Sequence, residues 1–533
     1  MVCRGSSWLS GLIACMLTSA SYTASGADWP HWLGPHSRNA AETQHLPTNF
    51  DNVRWRADLG KVAFGCPTVV NGRIYVGTNA PGGERDPRLP KFRGGVLVCL
   101  DEQSGEVVWR FHVPVRWLGF PKNTHMPQQI YGICSSPTVE GDRLYIVSNG
   151  DDVLCMDVNG QADGNDGPFM EEGAFMSRDP ENPTALTEQD GDILWRYDIP
   201  RELGVAPHDV GSCSVLIDGN VLYTSTSNGI GVGSPAGALK PNAPAFIALD
   251  KRDGSLIAVD GEGISERLFH AQWTSPTKGD VDGETLIFLG GGDGICYAYP
   301  ALTDAEILAA KQRNKPMRMK SVWRFDCNPP HYKRDPSGNR IYYYQGDLRV
   351  YRNKRRTGQS TVGFNDGDGS FIGPSEILSS PVFHEGRIYV ATGRDPLHGL
   401  GQGILHCIDA TKTGDITNSG AIWSYEHIGR TLSTPAIAND LIYAADLAGR
   451  LHCLDMNTGE VQWIHDSEDE IWGNPLVADG KVYLMAKRSL TILNASRELN
   501  VLYTHPRGSE MGVIAANDAL FAFIKGELFA VER

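Results

Sequence analysis

The stretch TLSTPAIANDLIYAADLAGRLHCLDMNTGEVQWIH, residues 431–465, divides into four short apolar runs: STPAIA, LIYAAD, RLHCLD and EVQWIH. The breaks at Asn439-Asp440, Leu447-Ala448-Gly449 and Asn457-Thr458-Gly459 hold residues that favour turns. At the third break Asp455 is placed to fold its carboxylate back onto the backbone, and Gly459 takes a positive φ without steric cost. One such unit is a four-stranded antiparallel sheet. It cannot bury both faces alone, so it requires copies.

The copies are present. With residues 431–465 as the sixth, the others run from Cys66 to Phe111, Ser135 to Asp198, Ser212 to Asp260, Thr274 to Asp326, Ser379 to Glu426, Asn474 to His505 and Met511 to Glu532. Pro435 to Pro475 and Trp423 to Trp463 are each 40 residues apart, and longer intervals are the same unit carrying insertions. A four-strand period near this length predicts an all-β, eight-bladed propeller. The eighth unit lacks a fourth strand, which residues 52–59 (NVRWRADL) supply with Trp55 at the blade-tryptophan position. The N-terminal strand is therefore expected to close the ring beside the C-terminus and remove its open edges. The predicted division is a leader over 1–27, an arm over 28–50 and the propeller over 51–533, with Trp29 and Trp32 pinning the arm to the body.

Composition narrows the function. The 533 residues carry a net charge of −15, which argues against nucleic acid or anionic lipid as the main partner. Residues 1–27 read as a secretory signal peptide: Arg4, an apolar run from Trp8 to Leu17, and small residues at Ser25-Gly26-Ala27. That run is too short to span a membrane, and no transmembrane helix is predicted elsewhere. Leu12 to Cys15 also matches a lipobox, which would make Cys15 a lipid anchor, though export by cleavage is the stronger reading. Beyond the leader, Cys99, Cys155, Cys296, Cys407 and Cys453 fall at one repeat position, and Cys66, Cys134 and Cys213 at another. A cysteine recurring at an inward-facing strand position is a small hydrophobe, so free buried thiols are expected.

The motif SSPxV, an h-Y-V strand, a C-h-D strand and TGEVxW resembles the PQQ-type, or quinoprotein-like, propeller repeat from residue 52 onward. That resemblance reaches both pyrroloquinoline quinone dehydrogenases and the outer-membrane assembly lipoprotein BamB. The arm Trp29-Pro30-x-Trp32-x-Gly34-Pro35 resembles that of uncharacterised planctomycete-type exported propellers. The resemblance is specific for fold and weak for activity. The adjacent cysteine pair of many alcohol-oxidising relatives is missing, as are C-x-x-C-H, G-x-S-x-G, H-E-x-x-H and the P-loop.

Sorting the loops by face locates the candidate site. Seven insertions fall in second-to-third-strand loops or between blades, all on one face over blades one to five. Those at 158–192, 301–320 and 410–420 fall on the other. Loops at a propeller's channel mouth are the usual place for a site. The cofactor-binding or channel-mouth candidates are Gln129, His208, Asp209, Gln272, Trp273, Arg394, His427, Arg430 and Trp472. Asp157, Asn159, Asp163, Asn165 and Asp166 alternate side-chain oxygens with glycines as a calcium loop does, with Glu171 or Glu172 to close it. The expectation is an exported, non-catalytic binding scaffold of the periplasm or cell envelope with protein partners. It would bind through the elaborated face or by strand addition to outer strands. The alternative is a quinoprotein alcohol or sugar oxidoreductase holding PQQ and calcium over the channel.

Overall fold

The computed structural model describes residues 27–533 except 36, 38, 44, 62–63, 80–85, 91, 117–127, 129, 178, 180, 231–236, 342, 344–371 and 397–400; the leader and Cys15 lie outside it. Eight antiparallel sheets form the blades. In blade six the strands are Ala436–Ala438, Leu441–Ala445, Arg450–Asp455 and Val461–Asp466, innermost to outermost. In blade eight they are Val513–Ala516, Ala519–Ile524, Glu527–Val531 and, as the outer strand, Val53–Asp58 from the N-terminal side. The ring is thus an eight-bladed propeller closed by its first strand.

The repeat motif follows from one cross-strand row. In blade six Tyr443 pairs with Cys453, and Cys453 with Trp463, so the thiol stands between two large rings. Tyr75–Cys99–Trp109, Tyr145–Cys155–Trp195 and Tyr389–Cys407–Trp423 repeat it. Alanine takes the middle place in Phe288–Ala298–Trp323 and Phe521–Ala530–Trp55. Where a tryptophan ends the row the middle residue is small, which explains the cysteine period; blade seven, with Tyr503 in place of tryptophan, carries Ile492 between Tyr483 and Tyr503. Cys296 is an exception to the sequence reading, since it pairs with Gly290 and Phe325, two residues from the row. All nine described cysteines are free, and eight are buried.

Where the outer strand carries a tryptophan, as in all blades but three and seven, it also latches its blade to the next. The indole N–H donates to a carbonyl just beyond the third strand of the following blade: Trp109 to Val158, Trp195 to Lys251, Trp323 to Ala410, Trp423 to Met456 and Trp463 to Ser496. Gly459 sits under the Trp423 ring with φ +73°, and a Cβ there would lie 2.7 Å from it. The Asp455 carboxylate accepts from the amides of Asn457 and Thr458, the turn expected from sequence. Nearer the channel, side chains link the starts of inner strands: Ser214 Oγ, Ser275 Oγ, Thr434 Oγ1 and Asn474 Oδ1 accept from Ser136, Ser214, Ser380 and Thr434 amides.

The insertions of blades two, four and five start on the face opposite the elaborated one but do more than extend it. Each runs back to the outer edge of the preceding blade and adds a parallel strand or bridge. Met317–Met319 pairs with Ala258–Asp260, Gly414–Asp415 with Trp323–Arg324, and Asp190 with Arg110.

The arm enters the channel. Trp29 bridges Val69 on the inner strand of blade one, and Pro30 O accepts from Val139 of blade two. A tight turn follows, in which Leu33 and Gly34 have φ +69° and +75°. The Trp29 ring packs against Gly34, where a Cβ would stand 2.6 Å away. Trp32 Nε1 then donates to Ser380 Oγ of blade five, Asn39 Nδ2 to Thr434 O of blade six, and Ala40–Ala41 lies parallel to the inner strand of blade seven. The chain leaves past Asp479 and Tyr483, whose hydroxyl donates to Pro47 O, and reaches the outer edge of blade eight. The described residues of 29–41 thus form a plug bonded to the inner strands, or the residues just before them, of five blades.

Candidate functional site

The plug sets the floor of a pocket on the elaborated side. Trp32, Phe64, Cys66, Leu432, Trp472, Gly473, Asn474, Glu510 and Gly512 enclose about 130 Å³. Phe64 stacks on Trp472 at 6.3 Å and meets Tyr131 edge-on at 5.6 Å. Trp472 donates its indole N–H to Glu470, while Lys487 lies 4.2 Å over its ring and pairs with Glu470 at 2.7 Å.

A second cluster gathers over blades three to five. His208 and His270 meet edge to face at 4.2 Å, and Trp273 packs on both. His208 Nδ1 lies 2.7 Å from the Ile230 carbonyl, which only accepts, so Nδ1 carries the hydrogen. Tyr343 stacks on Phe269 and on His270, and its hydroxyl donates to Glu376 at 2.7 Å. The Arg394 guanidinium stands 4.3 Å over the Tyr343 ring and donates to Pro374 O. Glu376 is wholly buried, and burial pushes its carboxyl up to about 8 despite the Tyr343 hydrogen bond, with Asp395 adding to the rise.

The sequence-selected residues therefore separate. Trp472 lines the pocket; His208, Trp273 and Arg394 share the second cluster, with Arg394 and most of His208 buried. Asp209 follows His208 at φ +60°, and burial raises its carboxyl. Gln272 is fully buried, donates to Gly290 O and accepts from Gly292 N, and so splints its own loop. Arg430 is likewise buried. His427 is exposed beside Tyr425, and Gln129 lies outside the described residues. The sequence reading missed Glu376, whose burial depends on the fold, and the arrival of Trp32 beneath the pocket. The Trp-x-x-Trp spacing of the arm was the one signal for the latter.

The acidic loop of blade two does bring carboxylates together. Oxygens of Asp157, Asp163 and Asp166 lie within 4.8 Å of one another. The loop supplies its own donors. Asn159 donates to Asp157 and Asp163, Asn165 to Glu172, and Gln161 Nε2 and Asp166 N to Asp192. Burial pushes Asp192 up to about 7, with Glu172 and Asp157 adding to it.

The repeat implies a quinone as the group this pocket would have to hold. PQQ is a planar tricycle with three carboxylates; sites for ligands of that size span at least roughly 300 Å³ and need cationic groups on their walls. The pocket above Trp32 has under half that volume, and its one charged lining residue is the acidic Glu510. These residues do not fit the group.

Comparison with known proteins was informative about family. The PQQ_2 family model, described as outer membrane protein assembly factor BamB, matches residues 48–258 and 318–533. BamB of Nitrosomonas eutropha is 24% identical over 164 residues, a match covering 28% of this chain and only 37% of that protein. Among solved structures, BamB from Moraxella catarrhalis is 12% identical with a TM-score of 0.48, covering 91% of this chain and 100% of its own. A quinohemoprotein alcohol dehydrogenase from Comamonas testosteroni is 14% identical with a TM-score of 0.40, covering 95% and 80%. With both halves of the ring matched by the family model, the chain belongs to the PQQ_2 family of BamB-type propellers.

Proposed function

We propose that this protein is an exported, non-catalytic scaffold of the periplasm or cell envelope that binds protein partners, in the manner its BamB relatives suggest by name. The observation that carries this reading is the threaded arm. At the axial channel, where the resemblance would put a quinone, the described residues of 29–41 bond to the inner strands, or the residues just before them, of five blades. What remains for recognition is surface: the elaborated face, with its two aromatic clusters, and the outer edges. Envelope placement rests on family membership and on the leader-like residues 1–27.

Two measurements test the reading. Isothermal calorimetry with PQQ and Ca²⁺ should give no saturable heat, and dye-linked oxidation of alcohols and sugars no turnover. A photo-crosslinking residue at the exposed His427 position should give discrete protein adducts in intact cells. Cofactor-dependent turnover would overturn the scaffold reading.

A further inference from the structure

Two parallel strands and one parallel bridge, here called caps, show that the outer edges of this ring accept added chain. The longest comes from the sequence Lys315-Pro-Met-Arg-Met-Lys320. Met319 from it is buried while Arg318 between the methionines is exposed. Blades one, three and four are covered in this way. Blades two and eight lack such a cap but have arginine in the outer strand, Arg196 in one and Arg54 and Arg56 in the other. Edge charges of this kind discourage pairing.

Blades five, six and seven have neither defence. Their outer strands read AIWSY (421–425), VQWIHD (461–466) and VLYTH (501–505), with no Lys, Arg or Pro, and no described segment caps them. The same three strands expose Ile422, Val461, Ile464, Val501 and Leu502, each 40–44% accessible. Glu460 and Glu498, at the approaches to the second and third strands, are exposed and have no ion-pair partner among the described residues. The three blades are consecutive, so the bare edges form one arc of the circumference.

Resting on the scaffold reading, we propose that this arc is a strand-docking surface for an extended segment of another protein. The segment lies parallel to the outer strand, as the internal caps do, with apolar residues at alternate positions and basic residues between and beside them. Main-chain hydrogen bonds supply the binding; Ile422, Val461, Ile464, Val501 and Leu502 supply the apolar contact; Glu460 and Glu498 select for basic flanks.

The test uses a fluorescein-labelled peptide copying residues 314–322 (NKPMRMKSV) and a scrambled control, read by fluorescence anisotropy against the full mature chain. Saturable binding is expected for the native order and at least fivefold weaker binding for the scramble. The double variant Ile464→Lys, Leu502→Lys should lose affinity by a similar factor with an unchanged far-ultraviolet spectrum. Leu308→Lys, on an exposed helix face, should not. Of two peptides N-methylated at alternate residues in opposite phase, one should lose binding and the other keep it, a pattern that loose apolar or ionic adhesion would not produce. Three results would overturn the proposal: no saturation at millimolar peptide, equal binding by both methylated peptides, or sedimentation showing a wild-type dimer that the double variant abolishes, which would give the edges to a second copy of this chain. The calorimetric and turnover tests of the scaffold reading are separate, so either can fail alone.

Discussion

The Trp55 indole N–H donates to the Glu102 carbonyl oxygen at 2.8 Å. This bond joins the strand that completes blade eight to blade one, and it is the latch that Trp423 and Trp463 make elsewhere in the ring. Trp55→Phe removes the donor and should cost about 1 kcal/mol. Trp55→Ala also leaves a cavity against Phe521 and should cost about 3–5 kcal/mol. Trp423→Ala in the middle of the chain should cost a similar amount in urea denaturation. A loss confined to Trp55 would show that closure, rather than the latch, is what matters.

The plug turn depends on Gly34. Its φ of +75° and its contact with the Trp29 ring both exclude a side chain. Gly34→Ala should destabilise by about 1–3 kcal/mol from the backbone conformation and overpacking together. It should also expose the arm to limited proteolysis between residues 28 and 50 while the blades stay resistant. An arm that stays protected in this variant would mean that the turn can re-form without Trp29 stacked on it.

Glu376 makes stability depend on pH. Its folded-state carboxyl sits at about 8, above its ordinary value, so the folded form holds the proton more tightly than the unfolded chain. This contribution is fully present below the ordinary glutamate range and declines as pH rises to about 8. Its surroundings are Tyr343, His270, Asp395 and the Ala271 amide. The melting temperature of the wild type should fall relative to Glu376→Gln as pH goes from 5 to 9. Parallel curves would contradict the assignment.

The thiols in the aromatic rows should be inert. Burial pushes Cys99, Cys155, Cys407 and Cys453 up to about 12, so little thiolate is present at neutral pH. Ellman's reagent should modify them only after denaturation. Cys453→Ala should be mild, whereas Cys453→Leu, forced between Tyr443 and Trp463, should cost about 1–3 kcal/mol.

Much of the ring was legible because each repeat has to solve the same packing problem. Tyr443, Cys453, Trp463 and Gly459 occupy fixed places in one row and one turn, and that periodicity survives translation into sequence. The fourth strand of blade eight was found by the same logic, from Trp55 alone. The site was less legible because it arises where periodicity stops. Gln272 sits one residue before Trp273, yet one side chain turns inward to splint a loop and the other faces the histidines. Nothing in local composition separates the two. The path of the arm was equally opaque, because Trp29 and Trp32 bind strands hundreds of residues apart. The insertions of blades two, four and five were placed on the correct face, but their return to a neighbour's edge follows only from the three-dimensional spacing of blades.

The closing strand also dictates an order of assembly. Strand 53–58 finds its partner, 527–531, only at the far end of the chain, so the ring stays an open crescent until the last blade has been made. Contacts so distant in sequence form slowly. The described residues of 29–41 bond to blades one, two, five, six and seven, so the arm gains its full set of partners only once those blades are made. A nascent chain arrested before blade eight lacks ring closure even where the arm has docked.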